Sequence, residues 1–97
     1  MKRLSDKEII NELSFLNDWV LNDNQITKVY KLGSFMEVMS LANLVSDKSE
    51  QIDHHPKMII DFNQIEFLIT THSEGGITNL DFLLASFIEE TYSELFS

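Results

Sequence analysis

The chain has 97 residues, no cysteine and a formal net charge of −9, from sixteen acidic against seven basic side chains. This is the length of one small domain, spanning 1–97, that would gain stability from association, and the missing cysteine excludes disulfides, thiolate zinc sites and a thiol nucleophile together. Neither Lys2, Arg3 and Lys7 nor Lys28 with Lys31 makes a phosphate-binding groove, so no direct nucleic-acid binding is expected. With no N-terminal stretch apolar enough for a signal peptide or a membrane span, the expectation is a soluble, cytoplasmic protein without membrane contact.

Ser5-Asp6-Lys7-Glu8 is a capping-box pattern. Ile9, Ile10, Leu13 and Leu16 follow at helical spacing, with Phe15 near that face, which predicts a first helix over 6–16. Asn17-Asp18 breaks it. Trp19-Val20-Leu21 begins a strand, Asn22-Asp23-Asn24 has turn chemistry, and 26–32 alternates as a second strand. Ser34 and Glu37 repeat the capping-box pattern ahead of a helix over 35–49. A single face of that helix would use Phe35, Val38, Ala42 and Val45, while Leu41 and Leu44 point away from it. Apolar residues this far round the helix predict a second partner, another subunit. Residues 58–62 and 65–71 read as two further strands joined by Asp61-Phe62-Asn63-Gln64. Gly75-Gly76 is a loop, Thr78 a cap, and a last helix covers 79–95 with Leu80, Leu83, Leu84, Phe87, Ile88 and Tyr92 as its buried stripe. Hairpin pairs separated by a helix predict an α+β fold, an antiparallel four-stranded sheet with three helices on one face.

All three histidines lie between Glu50 and Asp81. His54 and His55 stand where a loop enters the third strand, and His72 where the fourth strand ends. If those strands form a hairpin, the imidazoles converge on one pocket. Imidazole titrates near neutral pH, so the cluster is a candidate proton-transfer site. The plainer reading of His54-His55 is a turn pair capped by Pro56. A metal site needs three converging ligands, which adjacent residues rarely supply, so no metal is expected.

Asp53-His54-His55-Pro56, an aromatic at Phe62, Thr71-His72, the glycine loop and Asp81 at this spacing resemble the pterin-4a-carbinolamine dehydratases, also called dimerization cofactors of hepatocyte nuclear factor. Trp19, Phe35, Ile77-Thr78 and Leu84-Ala85-Ser86-Phe87-Ile88-Glu89 extend the resemblance over nearly the whole chain. Two positions depart from the pattern: Phe82 stands where the family often has tryptophan, and Met58 where an aromatic is common after His-His-Pro. The resemblance implies a four-stranded antiparallel sheet with three helices on one face, and a homodimer or homotetramer through the 34–49 helix. It implies dehydration of 4a-hydroxytetrahydropterin to quinonoid dihydropterin, in recycling of the tetrahydropterin, without metal or organic cofactor.

By the same resemblance His54 and His72 map onto the acid and base positions and His55 onto a substrate-contacting one, so the three form the expected catalytic set. Glu50 and Asp53, just before the histidines, are expected at the substrate site, where either carboxylate can orient an imidazole; the plainer reading of Glu50 is a solvated helix end. Asp81 is expected near the pocket, and the backbone around Thr70, Thr71 and Ser73 would read the pterin's amide edge. Two other functions fit the scaffold: a non-catalytic interaction or coactivator protein, and a pterin enzyme of molybdopterin metabolism. The intact histidine set argues against the first.

Overall fold

The computed structural model describes residues 2–96. The elements run α1 (Asp6–Leu13), β1 (Val20–Asn22), β2 (Gln25–Lys31), α2 (Phe35–Ile52), β3 (Lys57–Asp61), β4 (Gln64–Ile69), a 3₁₀ turn (His72–Glu74) and α3 (Asn79–Phe96). The four strands form one antiparallel sheet in the order β1-β2-β4-β3. This is the α+β arrangement of three helices and four strands that the sequence predicts.

Alternation along the central strands separates the two faces of the sheet. Ile65, Phe67 and Ile69 of β4 are fully buried, and with Ile26 and Tyr30 of β2 they meet Val38, Leu41, Ala42 and Val45 of α2 and Leu84, Ala85 and Ile88 of α3. Each large aliphatic side chain so buried contributes about 1.5–3 kcal/mol. The other face is left without a helix; Val29 and Ile59 on it are exposed.

Both N-terminal caps form, with a difference. Ser5 and Glu8 exchange bonds across the start of α1, Glu8 N–H to Ser5 Oγ at 3.1 Å and Ser5 N–H to Glu8 Oε1 at 2.8 Å. Those bonds hold the Glu8 carboxyl below its ordinary range. Ser34 caps α2 in the same sense, but the Glu37 carboxylate takes the N–H of Gly33 at 2.8 Å instead of that of the cap.

Several boundaries and faces depart from expectation. α1 stops at Leu13, and of its expected apolar residues Ile10 and Phe15 are exposed while Ile9 is buried. α2 continues three residues past Ser49, to Ile52. Leu41, expected to point away from the sheet, is fully buried in the core, and Phe35, expected in it, is largely exposed. The inward face is thus Val38, Leu41, Ala42, Val45 and Ser49, a regular helical stripe, and the outward apolar surface shrinks to Phe35, Met36 and Leu44. On α3 the buried stripe runs Asp81, Phe82, Leu84, Ala85, Ile88 and Thr91, while Leu83 is exposed. The inward turn of Asp81 rotates the helix away from a purely apolar seam.

Trp19 is a core residue, and its indole donates to Glu89 Oε1 at 3.2 Å. The same oxygen accepts from Lys28 Nζ at 2.5 Å and from the Tyr30 hydroxyl. One carboxylate thereby fixes α3 against β2 and the start of β1. Burial, and then the bond to Glu89, push the Tyr30 phenol above its ordinary range.

Candidate active site

Because β4 is antiparallel to both neighbours, its C-terminal end meets the starts of β2 and β3; Ile69 pairs with Ile26, and Leu68 with Lys57. His55, just before β3, and His72, just after β4, therefore arrive at the same end of the sheet. The turn between β1 and β2 closes that end. Asp23 and Asn24 both take left-handed conformations, with φ of 51° and 62°, the geometry of a tight two-residue hairpin and one that Asp and Asn tolerate. Together these segments line an open cleft of about 430 Å³ containing His55, Lys57, Leu68, Thr70, His72 and the Gly75-Gly76 wall. That volume lies within the usual range of small-molecule sites, about 300–1,000 Å³.

The end of α2 aims the histidines. Asp53 adopts the left-handed conformation (φ 52°, ψ 48°). Its N–H bonds to Glu50 O, and the N–H of His54 bonds to Ser49 O at 3.0 Å. This is a Schellman turn with aspartate where glycine is usual. The turn drives His54 inward and leaves His55 outside. Asp53 itself is exposed, and the turn gives it a structural role.

His54 is buried to 9% exposure and its Nε2 lies 2.6 Å from Asp81 Oδ1. Asp81 is wholly buried in the first turn of α3. Its other oxygen accepts from the Thr71 hydroxyl at 2.8 Å and from the Thr78 N–H at 2.8 Å. Thr78 also accepts at Oγ1 from the Leu80 N–H at 3.3 Å, so Thr78 and Asp81 cap α3 reciprocally. A buried carboxylate is tolerable only when paired in this way. The cap of α3 thus doubles as the support that holds His54 and the strand end preceding His72. With Nε2 taken by the carboxylate, Nδ1 is the ring atom left for chemistry. Among the described residues no hydrogen bond to Nδ1 is found, and His54, unlike His55 and His72, is not one of the residues that line the cleft.

The remaining candidates divide clearly. Glu50 reaches the exposed His55, Oε2 to Nε2 at 2.5 Å. Thr70 lines the cleft and donates to Asn24 O at 2.6 Å, tying β4 to the β1-β2 turn. Thr71 lies behind the cleft in the Asp81 network. Ser73 is exposed in the 3₁₀ turn and does not line the cleft. Phe62 sits in the β3-β4 turn, at the end of the sheet away from the cleft. Asp23, Asn24, Gln25, Lys57 and Leu68 line the cleft without having been singled out from the sequence. Their signal was the turn itself, since the start of β2 must pair with the end of β4. Among the described residues no three His, Asp or Glu side chains are arranged to hold a metal ion.

Comparison with known proteins bears on this cleft. The family profile described as pterin 4 alpha carbinolamine dehydratase matches residues 2–91. A protein of Sulfurisphaera tokodaii, provisionally named a pterin-4-alpha-carbinolamine dehydratase, is 39% identical over 90 residues, covering 93% of this chain and 97% of the relative. One from Chloroflexus aurantiacus with the same provisional name is 37% identical over the same shares. Among solved structures, a transcriptional coactivator/pterin dehydratase from Brucella melitensis superposes with a TM-score of 0.88 at 28% identity, covering 92% of this chain and 97% of that one. A pterin dehydratase-like RuBisCO assembly factor of the alpha-carboxysome, 11% identical with a TM-score of 0.61 over 74% of this chain, shares the fold alone.

Proposed function

The chain belongs to the pterin 4 alpha carbinolamine dehydratase family, and from that premise we propose that it dehydrates a 4a-hydroxytetrahydropterin to the quinonoid dihydropterin. In this reaction the C4a–O bond breaks, the leaving oxygen takes a proton and departs as water, and N5 gives up its proton as the new double bond forms. One group must donate and another accept, and each properly placed group is worth about 10²- to 10⁴-fold.

His54 and His72 take these two roles. The observation that carries the reading is the His54–Asp81 pair: a buried carboxylate 2.6 Å from Nε2 fixes the ring's orientation and leaves Nδ1 as the ring atom for proton transfer. Asp81 holds the Nε2 proton in place, so His54 Nδ1 can gain or lose the working proton. His72, exposed at the cleft wall with no side-chain partner, supplies the other group. His55, steadied by Glu50, contacts the substrate, and Thr70 lines its seat. Glu50 acts through His55, and Thr71 acts through Asp81. Ser73 and Asp53 stay at the margins, where the backbone of the 72–74 turn offers polar groups to the pterin's amide edge.

The reaction is the recycling of tetrahydropterin in the cytoplasm, with no metal or cofactor and no direct contact with nucleic acid. The protein works as a homodimer or homotetramer that covers Met36 and Leu44 on the outer side of α2. No helix is long and apolar enough to cross a membrane among the described residues. The test is stopped-flow absorbance of enzymatically generated carbinolamine with and without purified protein. Acceleration that persists in a chelator supports the reading; a decay rate equal to the spontaneous one overturns it.

A further inference from the structure

One wall of the cleft is thin. Gly76 and Asn24 line the cleft on one side and a second cavity of about 290 Å³ on the other, which Arg3, Leu4, Ser5, Asp6, Ile9 and Ile77 complete. Two backbone bonds hold this wall from the cleft side, Thr71 N–H to Gly76 O at 3.0 Å and Gly76 N–H to Thr71 O at 3.3 Å. From the other side the N-terminal segment holds it. Leu4 N–H donates to Ile77 O at 2.7 Å, and Arg3 Nη1 donates to Gly75 O at 3.4 Å.

The two glycines are required for different reasons. Gly75 has a φ of 70°, a left-handed conformation that favours glycine. Gly76 has no such φ. A Cβ built on it would lie 2.7 Å from Arg3 Cδ and 3.1 Å from Arg3 Cγ. The aliphatic stem of Arg3 therefore lies flat on the Gly76 α-carbon, and among the described residues its guanidinium forms no ion pair that would explain its placement.

We propose that Arg3 is a positioning residue for the cleft: its stem braces Gly76, and its guanidinium braces the Gly75 carbonyl, so that the wall beside His72 keeps its distance from the substrate's seat. The proposal rests on the dehydratase reading for its kinetic part only. Arg3 touches no reacting atom, so its removal should act on binding. Arg3→Ala should raise KM for the carbinolamine about two- to tenfold, the factor that one hydrogen bond of ordinary net worth carries, while kcat stays within about twofold. Arg3→Lys keeps most of the stem and should lie closer to the wild type. The methyl of Gly76→Ala would meet the Arg3 stem at Cδ and Cγ and should push that stem off the wall. That variant should reproduce Arg3→Ala, and the double variant should be no worse than either single one.

Amide hydrogen exchange reads the same brace without any substrate. Exchange at Thr71 and Gly76 should speed by about the same two- to tenfold factor in Arg3→Ala and in Gly76→Ala. Wild-type KM and wild-type exchange in Arg3→Ala overturn the proposal. So does a double variant whose effect is the product of the two single ones. If the wild-type chain dehydrates nothing, the dehydratase reading fails, and the exchange measurement still decides whether Arg3 braces the wall.

Discussion

Replacing Asp81 by asparagine should separate the proton chemistry of His54 from its burial. In the native chain Asp81 accepts on both oxygens, from His54 Nε2 on one and from Thr71 and Thr78 on the other. An asparagine of the same shape can keep the two bonds to Thr71 and Thr78 by placing its oxygen there. Its NH₂ then faces His54 and donates to Nε2. A neutral imidazole that accepts at Nε2 must carry its proton on Nδ1. The ring nitrogen not facing residue 81 is then a donor with no lone pair, so the ring can no longer act as a base from that atom. The triad of serine proteases shows the scale of such a tautomer error, about 10⁴-fold when asparagine replaces its aspartate. With a second imidazole in the cleft the loss here should be about 10²- to 10⁴-fold. All three bonds to the carboxylate become bonds to a neutral amide, and each exchange of a charged for a neutral bond costs about 1 kcal/mol of stability. For a domain of this size each kcal/mol lowers Tm by roughly 4–8 °C. The assays are stopped-flow dehydration, a circular dichroism melt, and ¹⁵N shifts of the labelled ring. A folded variant whose His54 proton sits on Nδ1 and whose rate equals that of the wild type would refute the reasoning.

The other predictions rest on equally local features. Asp53→Gly relieves a left-handed aspartate at the end of α2 and should raise stability by up to about 1 kcal/mol in a denaturant melt; a large fall in dehydration rate would instead give the Asp53 carboxylate a role in binding. The Tyr30 phenol is raised by burial and by Glu89. In the fold it therefore stays neutral where the unfolded chain would ionise, its stabilisation is complete below its ordinary value of 10.0, and stability should fall as pH climbs above that. Tyr30→Phe should flatten this alkaline decline in Tm. Leu44→Glu on the outer side of α2 should lower the mass seen by light scattering and leave the circular dichroism unchanged, whereas Leu41→Glu should abolish the fold; a wild-type monomer at micromolar concentration would overturn the assembly.

What could be read from the sequence was local, and what could not was distant. Ser5 with Glu8, the strand alternation of 65–69 and the turn at Asp23-Asn24 each show themselves within a few residues, and each recurs in the structure. The end of α2 lies three residues beyond the expected Ser49, because a Schellman turn normally announces itself by glycine and here aspartate takes that place. A stripe begun at Phe35 turns Leu41 outward; a helix's first residue has few neighbours and is a poor marker of its face. Asp81 misled in the other direction. An inward-facing carboxylate shifts the buried stripe of α3 to Phe82 and Ala85, and nothing within the helix shows that His54 and Thr71 will satisfy it. The Glu89 hub and the Arg3 brace join residues roughly sixty to seventy positions apart, beyond any periodicity. At the cleft, the resemblance brought His54, His55 and His72 forward together, whereas the structure divides them into a buried, carboxylate-held ring and two rings at the surface.

The most direct measurement is the dehydration rate of the His54→Ala/His72→Ala double variant, taken beside each single variant and the wild type on folded protein. If the two imidazoles share the acid and base roles, each single change should slow the reaction by about 10- to 10³-fold, within the worth of one proton-transfer group. The double change should be clearly slower than either. A folded double variant that dehydrates the carbinolamine at the wild-type rate would contradict the account.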